Sequence, residues 1–117
     1  MAGARRASWL TTQLQTSTTY TFIVRHEPTA DNTAPGVTPS EAILAQYPYT
    51  LKIVGHTHEF SQVTTKEIIV GNGGAPLASS GDAFGYALVS MTANGDLSVA
   101  EIDATTNLPV ATYTVAR

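Results

Sequence analysis

The feature that most restricts this chain's fold is a pair of apolar runs, Phe84 to Met91 and Leu97 to Ile102, separated by a turn at Asn94-Gly95. An Asn-Gly pair between two such runs specifies a β-hairpin, because these residues tolerate the left-handed backbone that a tight turn requires. In the first run one face carries Phe84, Tyr86 and Leu88, and the other carries Ala87, Val89 and Met91. With both faces apolar, both are expected to be covered. Asn107 to Pro109 turns the chain again into a last strand, Ala111 to Val115.

Upstream the pattern changes. Ala7 to Gln15 places Trp9, Leu10 and Leu14 at helical spacing, with Ser8 positioned to cap. Tyr20 to Val24 is aromatic and β-branched and reads as a buried strand, which Pro28 keeps from extending far. Thr29 to Pro39 reads as a loop. Thr38, Pro39 and Glu41 then form a capping box that opens a second helix, running to about Tyr47 and stopping before Pro48. Leu51 to Val54 is a short strand broken by Gly55, and Ser61 to Val70 is one or two strands ending in Gly71-Asn72-Gly73-Gly74. The expected class is α/β, with two short helices and two strands followed by antiparallel hairpins. At 117 residues the chain has room for one domain. Little of it remains to cover the two-sided hairpin, so residues 1–117 read as a single partial domain.

Composition narrows the function. Net charge is −3, and the one basic pair, Arg5-Arg6, lies near the start, which argues against a nucleic-acid partner. No apolar run reaches membrane-spanning length, so no membrane partner is expected. With no cysteine, disulfides and thiolate metal sites are excluded.

All three histidines stand where a strand gives way to a loop: His26 after Tyr20 to Val24, and His56 and His58 after Leu51 to Val54. Strand ends of α/β sheets are where ligand sites collect, because loops converge there on a rigid base. If Gly55 to His58 were extended, His56 and His58 would project to one side, with Gly55 permitting a sharp turn before them. One histidine alone fits an ordinary packed or surface residue. Three at strand ends point to a metal, since neutral imidazoles are the common nitrogen donors for Zn and Fe. Glu27 and Glu59, each next to a candidate ligand, read either as partners fixing the imidazoles or as exposed loop carboxylates. Gly71 to Gly74 reads either as a tight turn or as the border of a substrate pocket, with Asn72 and Gly73 its candidate contacts.

In this order the motifs resemble those of calcineurin-like and purple-acid-phosphatase-like metallophosphoesterases. Gly55-His56-Thr57-His58 resembles the family's closing G-H-x-H, and His26-Glu27-Pro28 its H-x-P. Trp9-Leu10 with Leu14 is similar to the helix before that strand. Gly71 to Gly74 after Ile68-Ile69-Val70 is similar to the return strand and glycine turn of secreted bacterial members. The resemblance covers essentially the whole chain and implies the C-terminal half of a metallophosphoesterase β-sandwich. It implies that His26 and His56 ligate one ion and His58 a second. In the complete site the ions (Zn, Fe or Mn) share a bridging Asp and activate water for in-line attack on a phosphate ester. Many members of the family are secreted or periplasmic.

The earlier D-x-H, G-D-x-x-D and G-N-H-[DE] motifs have no counterpart here. With them go the bridging Asp, an Asn ligand and a further His. The expectation is therefore a segment inactive by itself, with no metal necessarily bound. Its exposed sheet would meet an N-terminal half or pair with another copy. The alternatives are a mononuclear three-His metal module and a non-enzymatic interaction domain.

Overall fold

A computed structural model describes residues 2–117, with side chains from residue 5 onward. The chain is mixed α/β. In order it forms α1 (Ala2–Leu14), β1 (Phe22–Val24), a 3-10 turn (Thr29–Asp31), α2 (Val37–Leu44), β2 (Leu51–Val54), β3 (Phe60–Thr64) and β4 (Glu67–Val70). Three longer strands follow: β5 (Gly85–Met91), β6 (Leu97–Asp103) and β7 (Pro109–Val115).

The strands form two sheets. In the first, ordered β1-β2-β4-β3, β2 pairs parallel with both β1 and β4, and β3 pairs antiparallel with β4. The second is the antiparallel meander β5-β6-β7. Its first turn is the Asn-Gly hairpin, with Gly95 at φ 91 and its N–H donating to Thr92 O at 3.0 Å.

Period-two alternation explains how the sheets meet. Leu51 and Ile68 of the first sheet and Leu97, Val99 and Val115 of the second form one buried cluster, flanked by Ile53, Phe60, Ala87, Val89 and Tyr113. Each fully buried aliphatic side chain there stabilises the sandwich by about 1.5–3 kcal/mol. Tyr20 Oη donates to Gly95 O at 2.7 Å and links the approach to β1 with the hairpin turn.

The opposite face of the first sheet is partly ionic. Lys52, in β2, is buried and points toward α2. Its Nζ lies 2.7 Å from Glu41 Oε1 and 3.2 Å from Glu67 Oε2, and donates to Thr29 Oγ1 at 2.7 Å. Arg25 reaches the same Glu41 oxygen at 2.6 Å. Two cations and two carboxylates thus join β1, α2, β2 and β4.

The boundaries depart from expectation at both helices. Helix α1 starts at Ala2 rather than at Ser8, which lies inside it with its carbonyl accepting from Thr12 Oγ1. Ala and Arg among residues 2–7 favour helix without a cap. Helix α2 starts at Val37 after Gly36 and has no side-chain cap. The capping box does not form, because Glu41 serves Arg25 and Lys52 instead of the helix N-terminus. The region read as a loop, 29–39, contains the 3-10 turn and the first residues of α2. Ser61 to Val70 is two strands, β3 and β4.

Covering both faces of the hairpin also fails among the described residues. Ala87 and Val89 pack inward, while Tyr86 and Leu88 on the outer face are 45% and 53% exposed. No further layer among the described residues lies over them, so the apolar pattern exceeds what these elements bury.

The ionic layer makes stability pH-dependent. Burial opposes ionisation of Glu41, but hydrogen bonds from Lys52 and Arg25 outweigh it and hold the carboxyl below its ordinary value. Glu67 is likewise lowered against burial, by Thr29 and Lys52. Both folded-state values lie below the unfolded ones, so this contribution is complete above about pH 4.5 and fades as pH falls through the lowered values. Circular-dichroism melts between pH 7 and 3 should show Tm steady above that point and dropping below it. Replacing Lys52 with Met should cost about 3–5 kcal/mol at pH 7 in urea denaturation, because the carboxylates lose their buried partner.

Candidate metal centre

The two parallel strands β1 and β2 end side by side, and each delivers a histidine two residues beyond its last strand residue. The backbone joins them there, with Arg25 N–H donating to Ile53 O at 3.1 Å and Gly55 N–H to His26 O at 2.8 Å. His26 Nε2 and His56 Nδ1 come to 3.1 Å, with the rings edge to face and their centroids 5.1 Å apart. In the metal-free protein one nitrogen donates to the other. A single ion holding two imidazoles at about 2.0–2.1 Å each would place the nitrogens roughly 2.9–3.4 Å apart at octahedral or tetrahedral angles. The observed separation fits that geometry.

His56 reaches this position through an unusual backbone. Its φ is 69°, and Thr57 N–H donates to Gly55 O at 2.8 Å, which closes a three-residue γ-turn on His56 itself. For a non-glycine residue such a turn stores strain on the order of 1–3 kcal/mol, and strain of this kind concentrates at functional sites. Glu59 N–H then donates to Thr57 O at 2.8 Å, tightening the segment again. The extended geometry expected for Gly55 to His58 is therefore absent. The left-handed residue is His56, and an added Cβ on Gly55 would meet nothing closer than His26 O at 3.7 Å. His56 turns toward His26, while His58 is held by the loop after β4.

That loop fixes His58 firmly. His58 Nδ1 lies 2.7 Å from Pro76 O, so Nδ1 carries the proton and Nε2 is left with its lone pair for a ligand. Ala78 N–H donates to His58 O at 2.9 Å, and Gly71 N–H to Glu59 O at 2.8 Å. The approach is so close that a Cβ on Gly71 would stand 1.8 Å from Thr57 O, a position only glycine can occupy. Among the described residues no three His, Cys, Asp or Glu side chains form one metal-binding group, so His58 does not share a single centre with His26 and His56.

The remaining candidates take other places. Glu27 is buried and hydrogen-bonds to neither imidazole, although His56 lies near enough to help lower its carboxyl. It accepts from Thr33 N–H and Ala34 N–H at 2.9 Å each and from Thr33 Oγ1 at 2.5 Å. Its carboxyl is held below the ordinary range, chiefly by the Ala34 N–H. Glu27 thus closes the loop that follows His26. Glu59 acts here through its backbone. Asn72 is turned inward, with Nδ2 donating to Ala83 O at 2.9 Å, while Gly73 sits in open space. Thr57 Oγ1 lies 3.3 Å from Asp31 Oδ2, joining the His56 turn to the 3-10 turn.

Sequence reading passed over the residues that brace His26. Arg25 donates to Glu27 O at 2.8 Å, and Thr29 donates through N–H and Oγ1 to Glu67 at 2.9 and 2.8 Å. The available signal was charge inside apolar strands, Lys52 within Leu51 to Val54 and Glu67 at the head of Ile68 to Val70.

Comparison with family models, curated proteins and solved structures returned no match.

Changing Gly71 to Ala should force the His56–His58 segment away from the loop after β4. Urea denaturation is expected to show a loss of about 1–3 kcal/mol.

Proposed function

We propose that this chain is the C-terminal part of a dinuclear metal phosphoesterase, with His26 and His56 on one ion, His58 on the other, and no activity of its own. The 3.1 Å approach of His26 Nε2 to His56 Nδ1, on a turn strained to produce it, carries this reading. The histidine order and spacing described above add the family. Zn, Fe or Mn in such a site would supply Lewis-acid stabilisation of charge at a phosphate ester and lower the pKa of water. The chain's own part is to hold two imidazoles convergent and to leave His58 Nε2 open for the second ion. Gly73, in open space on the glycine turn, would border the substrate, whereas Asn72 is buried with its amide turned inward.

Completion from outside is supported by β1. Thr21 and Arg25 bond to β2, so by parallel alternation Phe22 and Val24 turn their backbone groups to the free edge. Phe22 and Val24 are 46% and 78% exposed. An additional strand there, supplied by an N-terminal half, would bring the missing carboxylates to the ions.

Isothermal titration of the chain with ZnCl2 near neutral pH should give binding that His26→Ala or His56→Ala reduces at least tenfold. His58→Ala should leave this first ion bound. The chain alone should hydrolyse p-nitrophenyl phosphate no faster than buffer. Equal zinc binding by wild type and the His26 and His56 variants would sink the reading.

A further inference from the structure

A second group of oxygen atoms lies away from the histidines, where the end of β4 meets the start of β5. Asn72 is 1% exposed. Its Nδ2 donates to Ala83 O at 2.9 Å and its carbonyl accepts from Gly85 N–H at 3.0 Å, so it is locked against residues 83–85. With Nδ2 committed, Oδ1 is a buried acceptor without a donor. Asp82, next to Ala83, has a buried Oδ2 that also lacks a partner. Buried acceptors are seldom left this way, and two on the one connection between β4 and β5 call for an explanation.

Glu101 faces the same corner. The ladder pairs Gly85 with Asp103 and Ala87 with Glu101, and β7 places Ala111 on the other side of Glu101. Glu101 therefore has the inward parity of Leu97 and Val99, between two alanines whose methyl groups leave room around its carboxylate. Burial raises its carboxyl above the ordinary range, and the charges of Asp82 and Asp103 raise it further. Asp103 is satisfied by Thr105 and Thr106 N–H groups. Among the described residues every ion pair involves Glu41 or Glu67, so no cation reaches this corner.

We propose that Asn72 Oδ1, Asp82 and Glu101 form a calcium site between the ends of the two sheets. An all-oxygen donor set selects a hard cation. Calcium suits it better than magnesium, because the donors come from the β4–β5 connection and from β6 and calcium accepts irregular coordination completed by carbonyls and water. The third protein donor is an amide, consistent with the absence of any three-member His, Cys, Asp or Glu group among the described residues. The site is independent of the histidines and of the phosphoesterase reading. Two carboxylates and an amide imply a dissociation constant on the order of 10⁻⁴–10⁻³ M.

The test is thermal denaturation of the EDTA-treated full chain with and without CaCl2. Calcium at ten times its dissociation constant should raise Tm on the order of 5 °C. Glu101→Gln should melt no lower than wild type in EDTA, since it removes like-charge repulsion, and should lose the calcium-dependent rise. Asp82→Asn should lose it as well, whereas His56→Ala should keep it. No rise in wild type up to about 10 mM calcium overturns the proposal, as does a full rise in Glu101→Gln. A Tm that ignores calcium but climbs as pH falls from 7.5 to 6 would show instead a proton shared between Glu101 and Asp82, and also overturns it.

Discussion

The ammonium group of Lys52 is the contact on which the arrangement of this protein depends. It is almost wholly removed from water in the central parallel strand, and it is answered by Glu41 from α2, Glu67 from β4 and Thr29 from the segment after His26. A buried charge is tolerated only while its partners stay in place. The crossover helix, the neighbouring strand and the loop carrying His26 are therefore held in one mutual position. Apolar packing between the same elements would allow more sliding than this network does.

From that base the two faces of the first sheet do different work. The inner face, through Leu51 and Ile68, joins the meander in an apolar cluster that resists water and carries no chemistry. The outer face and its strand ends carry the polar machinery. The β1 and β2 termini bring His26 and His56 together, the γ-turn aims His56, and the carbonyl of Pro76 in the loop after β4 accepts the Nδ1 proton of His58. Rigid parallel strands supply the precision, and the loops supply the donors. The open edge of β1 and the exposed outer face of the meander leave apolar surface that these elements do not bury.

Much of this was readable in residue order. The Asn94-Gly95 hairpin, the strand Leu51–Val54 and the positions of the histidines beyond strand ends follow from local turn chemistry and apolar runs, which act over a few residues. The misreadings share one cause. Glu41 has the spacing of a capping box, but ion pairing with residues 16 and 11 positions away takes its carboxylate. Glu27 looks like a partner of its neighbouring histidine, yet backbone N–H groups six and seven residues on claim it. Asn72 sits in a glycine turn that suggests exposure, and packing against residues 83–85 buries it.

The sequence by itself determined the α/β class, the hairpins and the identity of the three imidazoles, because propensity, alternation and Asn-Gly chemistry are local. Only the tertiary structure decided which imidazoles meet. His26 and His56 are separated by 30 positions yet stand 3.1 Å apart, while His56 and His58 are near neighbours that face different partners. The reason is physical: parallel pairing of β1 with β2 brings distant strand ends to one edge, and a left-handed backbone at His56 undoes the alternation an extended segment would have kept.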